Sequence, residues 1–165
     1  MANDDFSSVQ ITHEDGGWRL SCSQRVAHAV NEVYPFFATA HNLERITPSF
    51  LHFRIRRIST EPLTAGALID YTLWLHHLPV WWRTQIDDWE PPYRFVDRQI
   101  RGPFKHWVHT HRFEADGDGT LIRDEVRFDL HCRALWRRRW LGWVHDDLRR
   151  IFAYRRRAVA VAFEP

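Results

Sequence analysis

The sequence is poor in the residues that cross-link small proteins or bind structural zinc. Its 165 residues include only two cysteines, Cys22 and Cys132, which are far apart and show no CxxC or Cys/His zinc spacing. We therefore expect both to be ordinary reduced thiols, as in cytoplasmic proteins. Because 44% of the residues are hydrophobic, a chain of this length can bury a core without disulfides or metals.

Long apolar runs and a large net charge are also missing. No run approaches the roughly 20 residues of a membrane-spanning helix, and residues 1–15 lack the basic-then-apolar pattern of a signal peptide. Lysine and arginine number 23 against 21 acidic residues, which gives a net charge of +2. This near-neutral balance argues against nucleic acid as a partner. We expect a cytoplasmic protein, and the oligomeric state stays open.

Aromatic residues, in contrast, are abundant. Nine tryptophans and eleven phenylalanines provide more ring volume than a core of this size needs. Some of these rings are therefore expected to line a cavity or a surface site. No P-loop, GxGxxG, HExxH or GxSxG motif occurs, so the common signatures of phosphate, dinucleotide, zinc-protease and serine-hydrolase sites are missing.

Turn-forming residues divide the chain into one strand, two short helices and six further strands. Residues 18–28 predict the first strand, and residues 31–37 and 41–46 predict the helices. Alternating, aromatic-rich segments then predict strands at 51–59, 67–77, 81–89, 93–101, 104–114 and 120–132. Hairpin-like turns between these segments indicate an antiparallel sheet, in which His76 and His77 are expected to form a loop approach to Pro79.

The remainder of the chain has the period of an amphipathic helix of about five turns. Its apolar stripe contains Val144, Leu148, Ile151, Phe152, Val159, Ala162 and Phe163, with Arg149, Arg150, Arg156 and Arg157 largely off it. The predicted class is α+β, with a curved seven-stranded antiparallel sheet wrapped around a long C-terminal helix and two short helices after strand 1. Such an arrangement leaves a hollow between sheet and helix. We expect one domain over residues 1–165, with 1–15 a loosely ordered or edge extension.

Three stretches resemble bacterial proteins of the SRPBCC (START-like, helix-grip) superfamily. They are NLERITP, WWRTQIDDWEPPYRFVDRQIRGPFKHWVHTHRF and LRRIFAYR, and the resemblance spans residues 18–158. The resemblance implies the helix-grip fold and an internal ligand cavity, in a group that includes lipid-transfer domains and polyketide cyclases. The chain departs from this pattern at residues 132–143, where relatives have a Pro/Gly-rich connector and this sequence has the basic, Trp-rich RALWRRRWLGW.

Strand alternation places a polar cluster inside the predicted cavity. Trp107, His109, His111 and Phe113 share one face of their strand, and its apolar ends identify that face as the inner one. By the same parity, inward positions on the neighbouring strands include Asp97, Gln99 and Asp124. These five polar residues can satisfy one another as a structural network. His109, His111, Asp97 or Asp124 can instead act as general acid or base, and His-x-His with a carboxylate is also a metal-ligand pattern.

From these patterns we predict a protein that binds a small hydrophobic or aromatic molecule, or a lipid, without metal or cofactor. A cyclase or dehydratase using the inward His and Asp residues is the first alternative. The second is a membrane-peripheral or protein-interaction domain that uses the Arg/Trp-rich segment 133–143, in which any membrane contact is weak. The predicted ligand-binding residues are Trp82, Ile86, Phe95, Asp97, Gln99, Trp107, His109, His111, Phe113, Val126, Phe128, Leu148 and Phe152.

Overall fold

The computed structural model describes residues 9–131 and 137–164. In this part of the chain, eight strands form a single antiparallel sheet in the order β1-β2-β8-β7-β6-β5-β4-β3. The strands are β1 Gln10–Glu14, β2 Gly17–Val26, β3 Arg54–Ile58, β4 Leu68–Leu75, β5 Leu78–Glu90, β6 Arg94–Arg101, β7 Phe104–Asp116 and β8 Gly119–Leu130. Helices α1 Val30–Phe37 and α2 Asn42–Arg45 follow β2, and α3 Arg137–Ala162 ends the fold.

The predicted architecture is confirmed, but the sheet has eight strands instead of seven. The additional strand, β1, pairs with β2 at the edge of the sheet. Its sequence, QITHE, is short and mostly solvent-exposed, so it carries no clear apolar alternation. The tight turn that joins the two strands has Gly16 at φ +92°, a conformation that glycine adopts without steric cost.

Two further boundaries differ from the sequence prediction. The strand expected at 51–59 starts only at Arg54, because Ser49–Leu51 forms a 3-10 turn and His52 has a φ of +44°. Helix α3 has 26 residues, or about seven turns, instead of about five. It is longer because it begins at Arg137, inside the segment treated as a connector. Residues 132–136 lie outside the described residues, so the predictions for Cys132 and for most of segment 133–143 are not addressed by the structure.

Helix α3 packs directly on one half of the sheet. Gln24 Nε2 on β2 donates to the Arg156 carbonyl oxygen at 2.8 Å, and the Trp18 and His145 rings lie 4.4 Å apart. Leu20 and Val126, which are completely buried, pack in the same core cluster as Leu148 of the helix. Close packing at β2 and β8 leaves the space under the other half of the sheet open. Among the described helices, none is long and apolar enough to cross a membrane.

Candidate functional site

A cavity of about 430 Å³ lies between α3, the short helices and strands β4 to β7. This volume is within the range of small-molecule sites. Most of its lining is apolar and includes Leu43, Leu73, Trp107, Ile151 and Phe152. Trp107 and Phe104 both reach it because a β-bulge between Phe104 and His106 breaks the alternation and turns both rings to the same side, 4.7 Å apart.

Nine of the thirteen predicted ligand-binding residues line this cavity: Trp82, Ile86, Phe95, Asp97, Trp107, His109, His111, Leu148 and Phe152. Four predicted residues, Gln99, Phe113, Val126 and Phe128, lie elsewhere. The side chain of Gln99 instead closes the β6–β7 turn, where its Nε2 donates to the Phe104 carbonyl at 2.7 Å and its Oε1 accepts from the Phe104 amide at 3.2 Å.

The other three residues are buried in the solid core. Phe113 packs against Tyr34 and Phe37 of α1, with ring centroids 5.3 and 5.1 Å away. Val126 and Phe128 lie on β8, where α3 covers the sheet directly. Parity correctly identifies the inner face of these strands, but it does not show which part of that face meets the helix and which part meets the cavity.

His109 and His111 form a closed cluster with two aspartates. The His109 Nε2 and His111 Nδ1 atoms both lie 2.9 Å from Asp124 Oδ1. On the opposite side, His111 Nε2 lies 2.9 Å from Asp97 Oδ2, whereas His109 Nδ1 is 3.8 Å away, beyond hydrogen-bond range. Because a carboxylate only accepts, the two hydrogen bonds of 2.9 Å place N–H groups on His109 Nε2 and on His111 Nε2. Asp124 itself lies behind the histidines and is not part of the cavity lining.

Nearby positive charge keeps both aspartates ionised. Burial by itself raises the pKa of Asp124, but the Arg155 charge and the hydrogen bonds from His109 and His111 outweigh it and hold the pKa well below 3.8. Burial likewise opposes ionisation of Asp97, but the hydrogen bond from His111 and the charge of Arg155 help to lower its pKa. The cluster therefore places two ionised carboxylates close to the Arg155 guanidinium.

His109 is held in the neutral form. Burial and the neighbouring His111 lower its pKa to about 4, although Asp124 and Asp97 act in the opposite direction. With the proton on Nε2, the Nδ1 lone pair remains available on the side of Asp97.

Arg155 is a cavity residue that the sequence analysis did not include. It lies on α3, one turn from Ile151 and Val159 on the apolar stripe, and its Nη2 is 3.9 Å from Asp124 Oδ1 and 3.5 Å from His111 Nδ1. An arginine within an apolar stripe is the signal that could have identified it. Together Asp97, His109, His111 and Arg155 form what we call the polar end of the cavity.

Two buried N–H groups of the lining have no hydrogen-bond partner within the described residues. They are the indole Nε1 of Trp82, whose side chain is 7% exposed, and the guanidinium Nε of Arg155. Burial also raises the pKa of the lining residue Tyr71 well above 10, so its phenol remains a donor. Unpaired buried donors are costly, and an oxygen atom of a bound molecule would satisfy them.

The opposite part of the lining, the exposed end, consists of His76, Leu78, Trp143 and Asp147. His76 and His77 form the two-residue turn between β4 and β5, with φ values of +47° and +66°. From this turn, His76 Nε2 contacts Asp147 Oδ2 on α3 at 2.8 Å, and the His76 ring lies 5.7 Å from that of Trp143. Leu78 is 65% exposed and Trp143 is 46% exposed. The hairpin and the helix therefore meet across the solvent-facing side of the cavity.

Comparison with known proteins relates this architecture to solved structures. No protein-family model matches the sequence, and no curated protein matches it significantly. The crystal structure of the Zhui aromatase/cyclase from Streptomyces sp. R1128 superposes with a TM-score of 0.70 at 14% identity, over 87% of this chain and 92% of that one. The chain has the helix-grip fold.

Other helix-grip structures cover the chain to the same extent. The solution structure of a protein from Arthrobacter aurescens has a TM-score of 0.67 at 14% identity, over 92% of this chain and 91% of that one. The ginseng major latex-like protein 151 from Panax ginseng has a TM-score of 0.64 at 13% identity, over 89% and 97%. At these identities, the likeness establishes the shared fold and leaves function to be argued from the site.

Proposed function

We propose that the protein binds a small hydrophobic molecule carrying an oxygen atom that accepts hydrogen bonds. The observation that carries this proposal is the pairing of an apolar cavity of about 430 Å³ with unpartnered buried N–H groups at Trp82 and Arg155. The apolar lining favours burial of a hydrocarbon or aromatic body. The two donors favour a carbonyl, carboxylate or phenolic oxygen at the polar end, so fatty acids and aromatic acids are suitable classes.

Binding in the cavity can be tested with 1-anilinonaphthalene-8-sulfonate, a fluorescent aromatic anion, and with 1-naphthoate as its competitor. We expect saturable fluorescence enhancement that 1-naphthoate reverses. Leu73→Trp, which places a larger ring in the lining of β4, should abolish this enhancement. Thr72→Trp is the matched control, because the neighbouring side chain points to the other face of the same strand. Equal binding by both variants would show that the dye occupies the surface and would contradict the proposal.

A second candidate function, supported by the same cluster, is a cyclase or dehydratase activity. The solved structures that share the fold include an aromatase/cyclase, and the polar end has an imidazole lone pair beside N–H donors. In a dehydration, His109 Nδ1 would take the proton from the carbon next to a carbonyl. The resulting imidazolium would return this proton to the β-hydroxyl, which would leave as water as the C=C bond forms. A base with a pKa of about 4 is weak near neutral pH, which places binding ahead of catalysis.

The two functions are distinguished by an assay with an aromatic β-hydroxy ketone, in which formation of the conjugated enone is followed by absorbance. The binding proposal predicts that the ketone competes with the dye and is recovered unchanged. Enone formation by the wild type that His109→Gln eliminates would instead favour the enzyme.

A further inference from the structure

We propose that Asp97, His109 and His111 bind a divalent first-row transition metal ion, such as zinc or iron(II), at the polar end of the cavity. This proposal differs from the sequence-based expectation of no metal. It is also independent of the proposed ligand binding, because an ion can occupy this position whether or not the cavity holds an organic molecule.

The first argument is the convergence of three suitable donor atoms. One ligand atom from each of Asp97, His109 and His111 lies within 4.8 Å of the others. The two His-to-Asp97 distances, 2.9 Å for His111 Nε2 and 3.8 Å for His109 Nδ1, bracket the separation of about 3.3 Å between ligands of a tetrahedral ion with bonds of about 2.0 to 2.1 Å. Movements of about half an ångström would therefore bring both histidine nitrogens to this spacing from the Asp97 oxygen. Two imidazoles and a carboxylate suit zinc and iron(II).

The second argument is the outer carboxylate that already orients both histidines. Asp124 Oδ1 accepts from His109 Nε2 at 2.9 Å and also lies 2.9 Å from His111 Nδ1. Metal-binding histidines usually donate their other ring nitrogen to a carboxylate or carbonyl in this way, which fixes the tautomer and aims the free lone pair at the ion. Here the nitrogens that Asp124 leaves free are those facing Asp97. Two histidines that served only to fill the core would not need to contact the same carboxylate oxygen.

The charge balance at the polar end and the access from the cavity also suit a metal ion. The ion would replace the hydrogen bond between His111 Nε2 and Asp97 Oδ2, and both aspartates would compensate its charge. All three ligands line the cavity. Three protein ligands leave at least one coordination position of a four-coordinate ion open, and that position would be available to water or to the oxygen of a bound molecule.

Cobalt(II) is the direct probe, because its visible absorption reports coordination independently of any activity. After chelator treatment, we expect one Co²⁺ per chain with an intense four- or five-coordinate spectrum and competition by Zn²⁺. His109→Gln and Asp97→Asn should each lower the affinity by at least about 100-fold, the upper end of the loss on removing an outer partner.

The matched control is His106→Gln, which removes an exposed histidine from the same strand and should leave binding unchanged. Circular dichroism establishes whether each variant is folded. If a variant is unfolded, the spectrum and the stoichiometry of the wild type still decide the question. A weak octahedral Co²⁺ spectrum in the wild type, or an affinity that His106→Gln reduces as much as His109→Gln, would overturn the proposal.

Discussion

The cavity has a histidine–aspartate contact at each end, and the two contacts have nearly the same length. At the polar end, His111 Nε2 is 2.9 Å from Asp97, and at the exposed end His76 Nε2 is 2.8 Å from Asp147. Their surroundings differ, since the side chain of His111 is 3% exposed and that of His76 is 49% exposed. Water screens the outer pair, whereas breaking the inner one would leave charges unpaired in the protein interior. Burial, and not distance, therefore decides what each contact contributes.

The largest difference between the two ends should follow from removing the charge of Asp124, which lies behind the polar end, and the charge of Asp147 at the exposed end. Asp124→Asn leaves Arg155 and His111 without their shared carboxylate, and we expect it to lower the free energy of unfolding by about 3 to 5 kcal/mol, the usual cost of breaking a buried charge pair. Asp147→Asn at the exposed end should cost less than about 1 kcal/mol. Urea denaturation measures both, and equal losses would contradict the comparison.

The next effect is a pH dependence that His109 confers on the chelator-treated protein. Its pKa is lowered from 6.5 to about 4. As the pH falls, His109 therefore binds a proton at a higher pH in the unfolded chain than in the folded chain. The contribution of neutral His109 to the free energy of unfolding is fully present above pH 6.5. It decreases as the pH falls towards 4, by up to about 1.4 kcal/mol per pH unit. The groups that face His109 are Asp97, Asp124, His111 and, through them, Arg155. The two aspartates have lowered pKa values, so their own contributions are lost only below about pH 4.

Urea titrations at several pH values between 6.5 and 4 check this prediction. His109→Gln should show a shallower pH profile than the wild type over this interval, whereas His76→Gln at the exposed end should not differ from the wild type. A wild-type stability that rises as the pH falls from 6.5 to 4 would contradict the neutral state of His109.

A smaller effect concerns ligand affinity at Trp82. Trp82→Phe keeps an aromatic ring in the lining but removes the unpaired N–H. We expect it to weaken binding of 1-naphthoate about 2- to 10-fold, the value of one hydrogen bond, and to change binding of 1-methylnaphthalene less. Competition with the fluorescent dye measures both. Equal weakening of the acid and the hydrocarbon would mean that Trp82 acts only through packing.

The smallest expected effect is kinetic and belongs to the exposed end. Asp147→Asn removes the charge that holds the His76 turn against α3, so we expect the dye to dissociate faster with little change in the polar end. Stopped-flow displacement by 1-naphthoate gives this rate. Arg149→Ser on the solvent face of the same helix is the control, and an equal acceleration by both variants would show that the contact is not part of the ligand path.

Strand alternation predicted the inner polar cluster because its period is independent of tertiary context. His109 and His111 are two residues apart on one strand, so they had to share a face, and the apolar residues Trp107 and Phe113 identified that face. The same reasoning could not follow Gln99, whose side chain turns to the adjacent backbone at a chain reversal. Phe113 is on the inner face as predicted, but α1 fills the space in front of it.

The remaining features depend on contacts between distant parts of the chain. Arg155 was passed over because it interrupts an apolar stripe that otherwise predicts helix packing, and only the opposing Asp124 explains its position. The bulge that turns Phe104 inward is set by the register with β8, which no local pattern specifies. Strand β1 lies at the edge of the sheet and pairs only with β2, so its sequence does not need a strong alternation of apolar and polar residues. The fold was therefore easier to predict than the extent of the cavity.

The most direct test of the account is to follow histidine ring nitrogens by long-range ¹H–¹⁵N NMR while chelator-treated protein is titrated with 1-naphthoate. His109→Gln, His111→Gln and His76→Gln assign the signals. We predict that the His109 and His111 nitrogens shift in a saturable manner, with the same dissociation constant as dye competition, and that His76 shifts less. A titration in which the His76 signals move and those of His109 and His111 remain unchanged would contradict binding at the polar end.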